Sequence, residues 1–229
     1  MIFQQERRII LFGNKKLNSP VSWLRTGTKG EKTMQEVSKK GMSTRQLTVV
    51  GMLGAISAVL GFTPLGFITV GAISVTTMHI PVIVGAILEG PMIGMMVGLL
   101  FGIVSMVRAF LVPLPTSFIF WNPLISILPR MLIGLVTYFV YRAISTRVKN
   151  DSVAMSVAAF LGTLTNTVGV LGLGYLLYSG KLAEKLDMST SAVATLFTGV
   201  AIHNGIPEAI LSVVITVGIC KAVLKTKRA

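Results

Sequence analysis

The sequence predicts an all-α integral membrane protein: a compact bundle of six transmembrane helices with both termini on the cytoplasmic side. Three observations carry this. The 229 residues are 52% hydrophobic and only 13% charged, with a mean hydropathy of +0.77, which is more apolar surface than a soluble core can hide. The apolar stretches are continuous, without the alternation that marks a membrane β-barrel. The basic residues are lopsided. With the N-terminus inside, seventeen Lys/Arg fall on the inner side and three (Arg108, Lys181 and Lys185) on the outer, which orients the bundle by the positive-inside rule. The net charge of +13 therefore reads as cytoplasmic segments facing anionic lipid rather than as a nucleic-acid surface.

The elements follow in order. Residues 1–44 form a basic segment without an apolar signal-peptide core, expected to be a disordered cytoplasmic tail, with Met34 or Met42 as an alternative start. Residues 45–224 are the membrane domain, and 225–229 a short basic tail. The first span, 45–62, contains Gly51, Gly54, Ala55 and Ala58 as overlapping small-xxx-small pairs. Such a face packs closely against a helix, either within the chain or in another subunit. An uncharged loop, 63–73, leads to a second span at 74–88, closed by Glu89-Gly90-Pro91, a helix stop followed by a start. The third span is 92–111; its methionines read as lipid-facing or core filler. Pro113 and Pro115 force a loop over 112–120. The fourth span is 121–141 and the fifth 152–178. A polar connector, 179–191, precedes the sixth at 193–223, which Asn204-Gly205 and Pro207 should break. The single cysteine, Cys220, excludes internal disulfides and reads as a small hydrophobe.

The fourth span holds the residue that most needs explaining. Arg130 lies roughly 12 Å below its outer end, where a cation costs about 2.5–3.5 kcal/mol on insertion scales. Asn122, Ser126 and Arg130 are spaced by four and share a face, which Gly134 continues. Pro129 lacks an N–H, so the carbonyl of Ile125 loses its helical partner. Arg130 is then either a structural ion pair, a side chain snorkelling outward, or an anion-binding guanidinium in an outward cavity. On the fifth span Thr163, Asn166 and Thr167 share a face. The Asn166 amide needs partners in an apolar setting and fits either ligand contact or helix–helix bonding. On the sixth, Asn204 and Glu208 lie four apart beside His203, and Glu208 is a candidate partner for Arg130. The candidate binding set is thus Arg130, Asn122, Ser126, Thr163, Asn166, Thr167, His203, Asn204 and Glu208. No phosphate-binding glycine loop, HExxH motif or Ser/Lys pair is present, so neither catalysis nor a cofactor or metal is expected.

The six-span layout, the small-residue first span and the stretch MHIPVIVGAILEGPMIGMMVGLLFGIVS resemble the substrate-binding S components of energy-coupling factor (ECF) vitamin transporters. PTSFIFWNPLISILPRMLIG and GTLTNTVGVLGLGYL look most like the pantothenate type. The resemblance covers about 44–224. It implies a membrane-embedded binding protein without enzyme activity. Its implied partners are a transmembrane scaffold subunit, docked on Gly51, Gly54, Ala55 and Ala58, and two cytoplasmic ATPases. It also implies substrate entry beneath the 63–73 and 112–120 loops. An S component for folate or another vitamin, and a stand-alone secondary transporter, are the competing readings.

Overall fold

The computed structural model describes residues 42–70, 73–112 and 116–228. The expectations for residues 1–41 and for the two prolines at 113 and 115 lie outside the described residues. Helix α1 (Thr44–Phe62) begins with a reciprocal cap, in which Ser43 accepts from the Gln46 N–H and Gln46 accepts from the Ser43 N–H. A short 3-10 turn (Pro64–Gly66) follows, then β1 (Phe67–Val70) and β2 (Ile73–Thr76). The strands pair antiparallel, with Phe67 opposite Thr76 and Val70 opposite Ile73. The expected loop is therefore a hairpin. Its β-branched run around Gly71 was a strand signal that hydropathy alone passes over.

The second span is corrected more strongly. The helix there, α2 (Ile80–Glu89), has 10 residues, about 15 Å of rise, half of a bilayer core. Pro81 starts it and Gly90 stops it. Gly90 has φ 103°, a conformation open to glycine. The residues from Ile80 to Ile87 are all buried, so α2 is apolar on every side because protein, not lipid, surrounds it. Helix α3 (Pro91–Leu111) follows directly.

The expected fourth span divides. A 3-10 turn (Ser117–Trp121) leads to one helical turn, α4 (Pro123–Ser126), and then to α5 (Leu128–Ser145). The break falls at Ile127, because Pro129 at the start of α5 cannot continue the hydrogen-bond ladder. Helix α6 (Asp151–Lys185) has 35 residues, capped by Asn150. Helix α7 (Thr190–Arg228) has 39. Both run beyond the spans expected of them. The connector between them shrinks to residues 186–189, closed by N–H bonds from Asp187 to the Glu184 carbonyl and from Met188 to the Ala183 carbonyl. Asp187 takes the left-handed conformation that this helix stop requires, at φ 51°. Helix α7 also continues through Asn204-Gly205 and Pro207 where a break was expected.

Among the described residues, five helical segments are long and apolar enough to cross a membrane: 44–62, 91–111, 123–145, 151–185 and 190–226, with Ile80–Glu89 as a shorter apolar helix. The backbones approach closely where α3 meets α5. Gly94, Gly98 and Gly102 form a four-spaced row on α3. A Cβ on Gly98 would overlap the carbonyl oxygen of Arg130, one on Gly102 would crowd Ser126, and Gly94 lies against Gly134. The two rows run antiparallel, backbone on backbone.

Candidate functional site

A cavity of about 290 Å³ opens between α3, α5, α6 and α7, beside the hairpin. It is at the small end of ligand sites. Of the candidate residues, Arg130, Asn166, Thr167, Asn204 and Glu208 line it. Four others do not. Asn122 accepts from the Leu124 N–H as the cap of α4 and donates to the Tyr178 hydroxyl. Ser126 bonds back to the Phe120 carbonyl. Thr163 is buried against α2, and His203 is exposed with Nδ1 3.1 Å from the Gly199 carbonyl. The even four-residue spacing from Asn122 to Arg130 thus ends at Ile127, and the two polar residues before the break satisfy local backbone instead.

Arg130 is 5% exposed, and its surroundings answer the question of compensation. Its Nη1 donates to the Ile125 carbonyl at 2.6 Å, the acceptor that Pro129 leaves unpaired. Its guanidinium lies 5.5 Å from the ring centroids of both Phe101 and Phe120. A hydrogen bond to a charged group contributes about 1.5–3 kcal/mol, and each desolvated cation–π contact about 0.5–2. Together these offset the insertion cost without an ion pair. The expected Arg130–Glu208 pair is accordingly not among the ion pairs of the described residues, which are Arg45–Glu89 and His79–Glu208. Glu208 accepts from the Thr76 hydroxyl at the end of β2 and lies 3.2 Å from His79 Nδ1.

Two polar atoms on cavity-lining residues, Arg130 Nε and Asn166 Oδ1, are buried without a hydrogen-bond partner among the described residues. One is a donor on a cation and the other a neutral acceptor. Sequence reasoning missed three contributors. Arg108, counted there among the outer-side cations by the end of the third span, lines the cavity from the last turn of α3. Thr76, at the end of β2, lines it too, and His79, at the start of α2, stands behind Glu208 without lining it. His79 stood within the quoted MHIP stretch, and an ionisable residue between apolar runs was signal enough. Among the described residues no cluster of three potential metal ligands occurs.

The small-residue stripe of α1 is divided. Gly51 and Ala55 are exposed, Ala58 is half-buried, and Gly54 is buried against Leu100 of α3.

Residues 45–220 match the family described as the ECF transporter, substrate-specific component. The chain belongs to this family. The S component is 33% identical over 166 residues to the pantothenic acid transporter PanT of Lactococcus lactis subsp. cremoris, a match covering 66% of this chain and 79% of the relative. It is 32% identical over 149 residues to the pantothenate transporter PanT of Leuconostoc mesenteroides subsp. mesenteroides, covering 63% of this chain and 66% of that one. Its fold is similar to that of ThiT from Listeria monocytogenes, with a TM-score of 0.54 at 17% identity over 79% of this chain and 95% of the other. The S component is a multi-pass protein of the cell membrane and part of a transporter.

Proposed function

We propose that this S component captures pantothenate in the cavity beside Arg130 and delivers it to an ECF module of one membrane scaffold and two ATPases. The observation that carries this reading is the pair of unpartnered polar atoms, Arg130 Nε and Asn166 Oδ1, on residues lining the cavity. Pantothenate offers a carboxylate for the guanidinium and an amide and hydroxyls for neutral acceptors and donors. Asn166, Thr167, Asn204 and Glu208 take the latter role. The names of the two similar transporters support the same vitamin.

In this reading α2 is the sixth membrane segment, passing half of the bilayer while the hairpin fills the other half. Both termini are cytoplasmic, as the Lys/Arg asymmetry supports. The Arg45–Glu89 ion pair then lies on the inner side, and the cavity mouth faces outward. Gly51 and Ala55, exposed on α1, present the surface for the scaffold, while Gly54 belongs to the internal contact with α3. Purified Arg130→Ala protein should lose radiolabelled pantothenate binding by about tenfold or more. Binding as tight as wild type would sink the carboxylate assignment, and a panel of vitamins in a thermal-shift assay tests the choice of ligand.

A further inference from the structure

Cations are the minority on the outer side of the bundle, and one of them is built into the cavity. Lys181 lies 5.9 Å from the Tyr178 ring centroid and Lys185 4.7 Å from that of Phe118, and neither lines the cavity. Arg108 does. Helix spacing puts it there. Phe101, Ser105 and Arg108 follow one another on α3 at intervals of four and three, which brings them onto one face, and all three line the cavity.

Depth runs along the same face. Phe101 marks the level of Arg130, whose guanidinium lies 5.5 Å from its ring centroid. Arg108 is rooted seven residues further on, two turns or about 10 Å. Exposure rises in step. Arg130 is 5% exposed, Arg108 is half-buried, and Val112, which lines the cavity one turn beyond, is 48% exposed. Arg130 therefore stands at the closed end and Arg108 at the mouth. The charged residues lining the cavity are these two and Glu208. In their ordinary ionisation states Arg130 and Glu208 act on a distant ion as a dipole whose poles nearly cancel. Arg108 leaves the cavity with one net positive charge, placed where an incoming ion meets it first. Low-dielectric walls concentrate such a field along the opening.

We propose that Arg108 is the capture residue of this cavity: it draws an anionic ligand into the mouth, from which the carboxylate passes on to Arg130. The ligand's identity rests on the pantothenate reading. Arg108 governs how fast the ligand arrives, while Arg130 and the neutral groups around it govern how long it stays.

The test is the rate of association and dissociation of pantothenate with the purified full chain, beside its uncharged alcohol analogue, pantothenol. Raising ionic strength from about 0.01 M to about 1 M shortens the screening length from about 30 Å to about 3 Å. This should slow pantothenate association about threefold to tenfold and leave pantothenol unchanged. Arg108→Gln should slow pantothenate association by a similar factor at low salt, weaken its salt dependence and spare pantothenol. Dissociation should stay within about twofold of wild type. Arg108→Lys keeps the charge and should keep the rate. A salt-independent wild-type rate overturns the proposal, as does a glutamine loss confined to dissociation, an equal loss for both ligands, or a lysine that fails to substitute.

If wild-type protein binds neither ligand, the pantothenate reading fails by itself, and the field of Arg108 is read without a ligand. Cys220 is the single cysteine, so Asn166→Cys in Cys220→Ala protein places one thiol on the cavity wall. Its rates with an anionic and a neutral methanethiosulfonate are compared, and their ratio cancels the thiolate fraction that both reactions share. Arg108→Gln should lower that ratio about threefold or more. An unchanged ratio overturns the proposal.

Discussion

The two sides of the cavity are built on different physics. On one side, α3 lies against α5 through glycines, and Gly98 sits on the carbonyl of Arg130 itself. On the other, α7 and α6 meet the hairpin and the start of α2 through a few polar contacts: Thr76 to Glu208, Glu208 to His79, and His79 to Thr163 of α6. The first side is a steric fit, which fails abruptly because backbone cannot yield to an added carbon. The second is a set of separate polar contacts, the hydrogen bonds among them contributing about 1 kcal/mol net each, which weakens one link at a time. The cation thus stands on the steric side of the cavity and Glu208 on the polar side.

Substitutions can break this contrast or refine it. The largest effect is expected from Gly98→Ala, whose methyl would overlap the Arg130 carbonyl. It should lower stability by about 1–3 kcal/mol and reduce pantothenate binding with it, as read by thermal unfolding in detergent and by ligand titration. Equal stability would mean that α3 and α5 are not locked there. A smaller effect is expected from Thr76→Val, which removes the hydroxyl that donates to Glu208. Stability should drop by about 1 kcal/mol, read by thermal unfolding, and pantothenate affinity should weaken in a ligand titration, because Glu208 loses a compensating donor. The smallest, and opposite in sign, is Gly172→Ala on α6, where an added Cβ meets nothing within 4 Å. Helix propensity should then raise stability by up to about 1 kcal/mol without changing ligand affinity. A loss there would show that α6 packs more closely than its geometry allows.

Much of this was legible in the sequence, and the failures share a cause. The long apolar runs, the intramembrane Arg130, the opening for a neighbour at Gly134 and the cavity-lining Asn166, Thr167, Asn204 and Glu208 all follow from periodicity and the cost of polar groups in lipid. Asn122 and Ser126 were misplaced because a four-residue period was extended through Ile127, where the helix stops. Once the ladder breaks, nearby polar side chains satisfy exposed backbone first. Pro207 misled in the other direction, since α7 stays helical through it. Helix α2 was overestimated because an apolar run reads the same whether lipid or protein surrounds it. His79 and Arg108 were passed over because what they face is set by the packing of separate helices. The row Gly94, Gly98, Gly102, by contrast, was fully visible as a repeat of small residues and went unread among the methionines.

The contact between Gly98 and Arg130 has a consequence for how such a protein can change. What Gly98 touches at position 130 is main chain, which every amino acid possesses. That backbone contact is therefore indifferent to the side chain there, although the guanidinium adds its own contacts to Phe101 of α3 and to the Ile125 carbonyl. A lineage that exchanged the arginine would keep the close approach of α3 and α5 but would need a new partner for that carbonyl. Helix register and cavity chemistry are then inherited through different atoms of one residue.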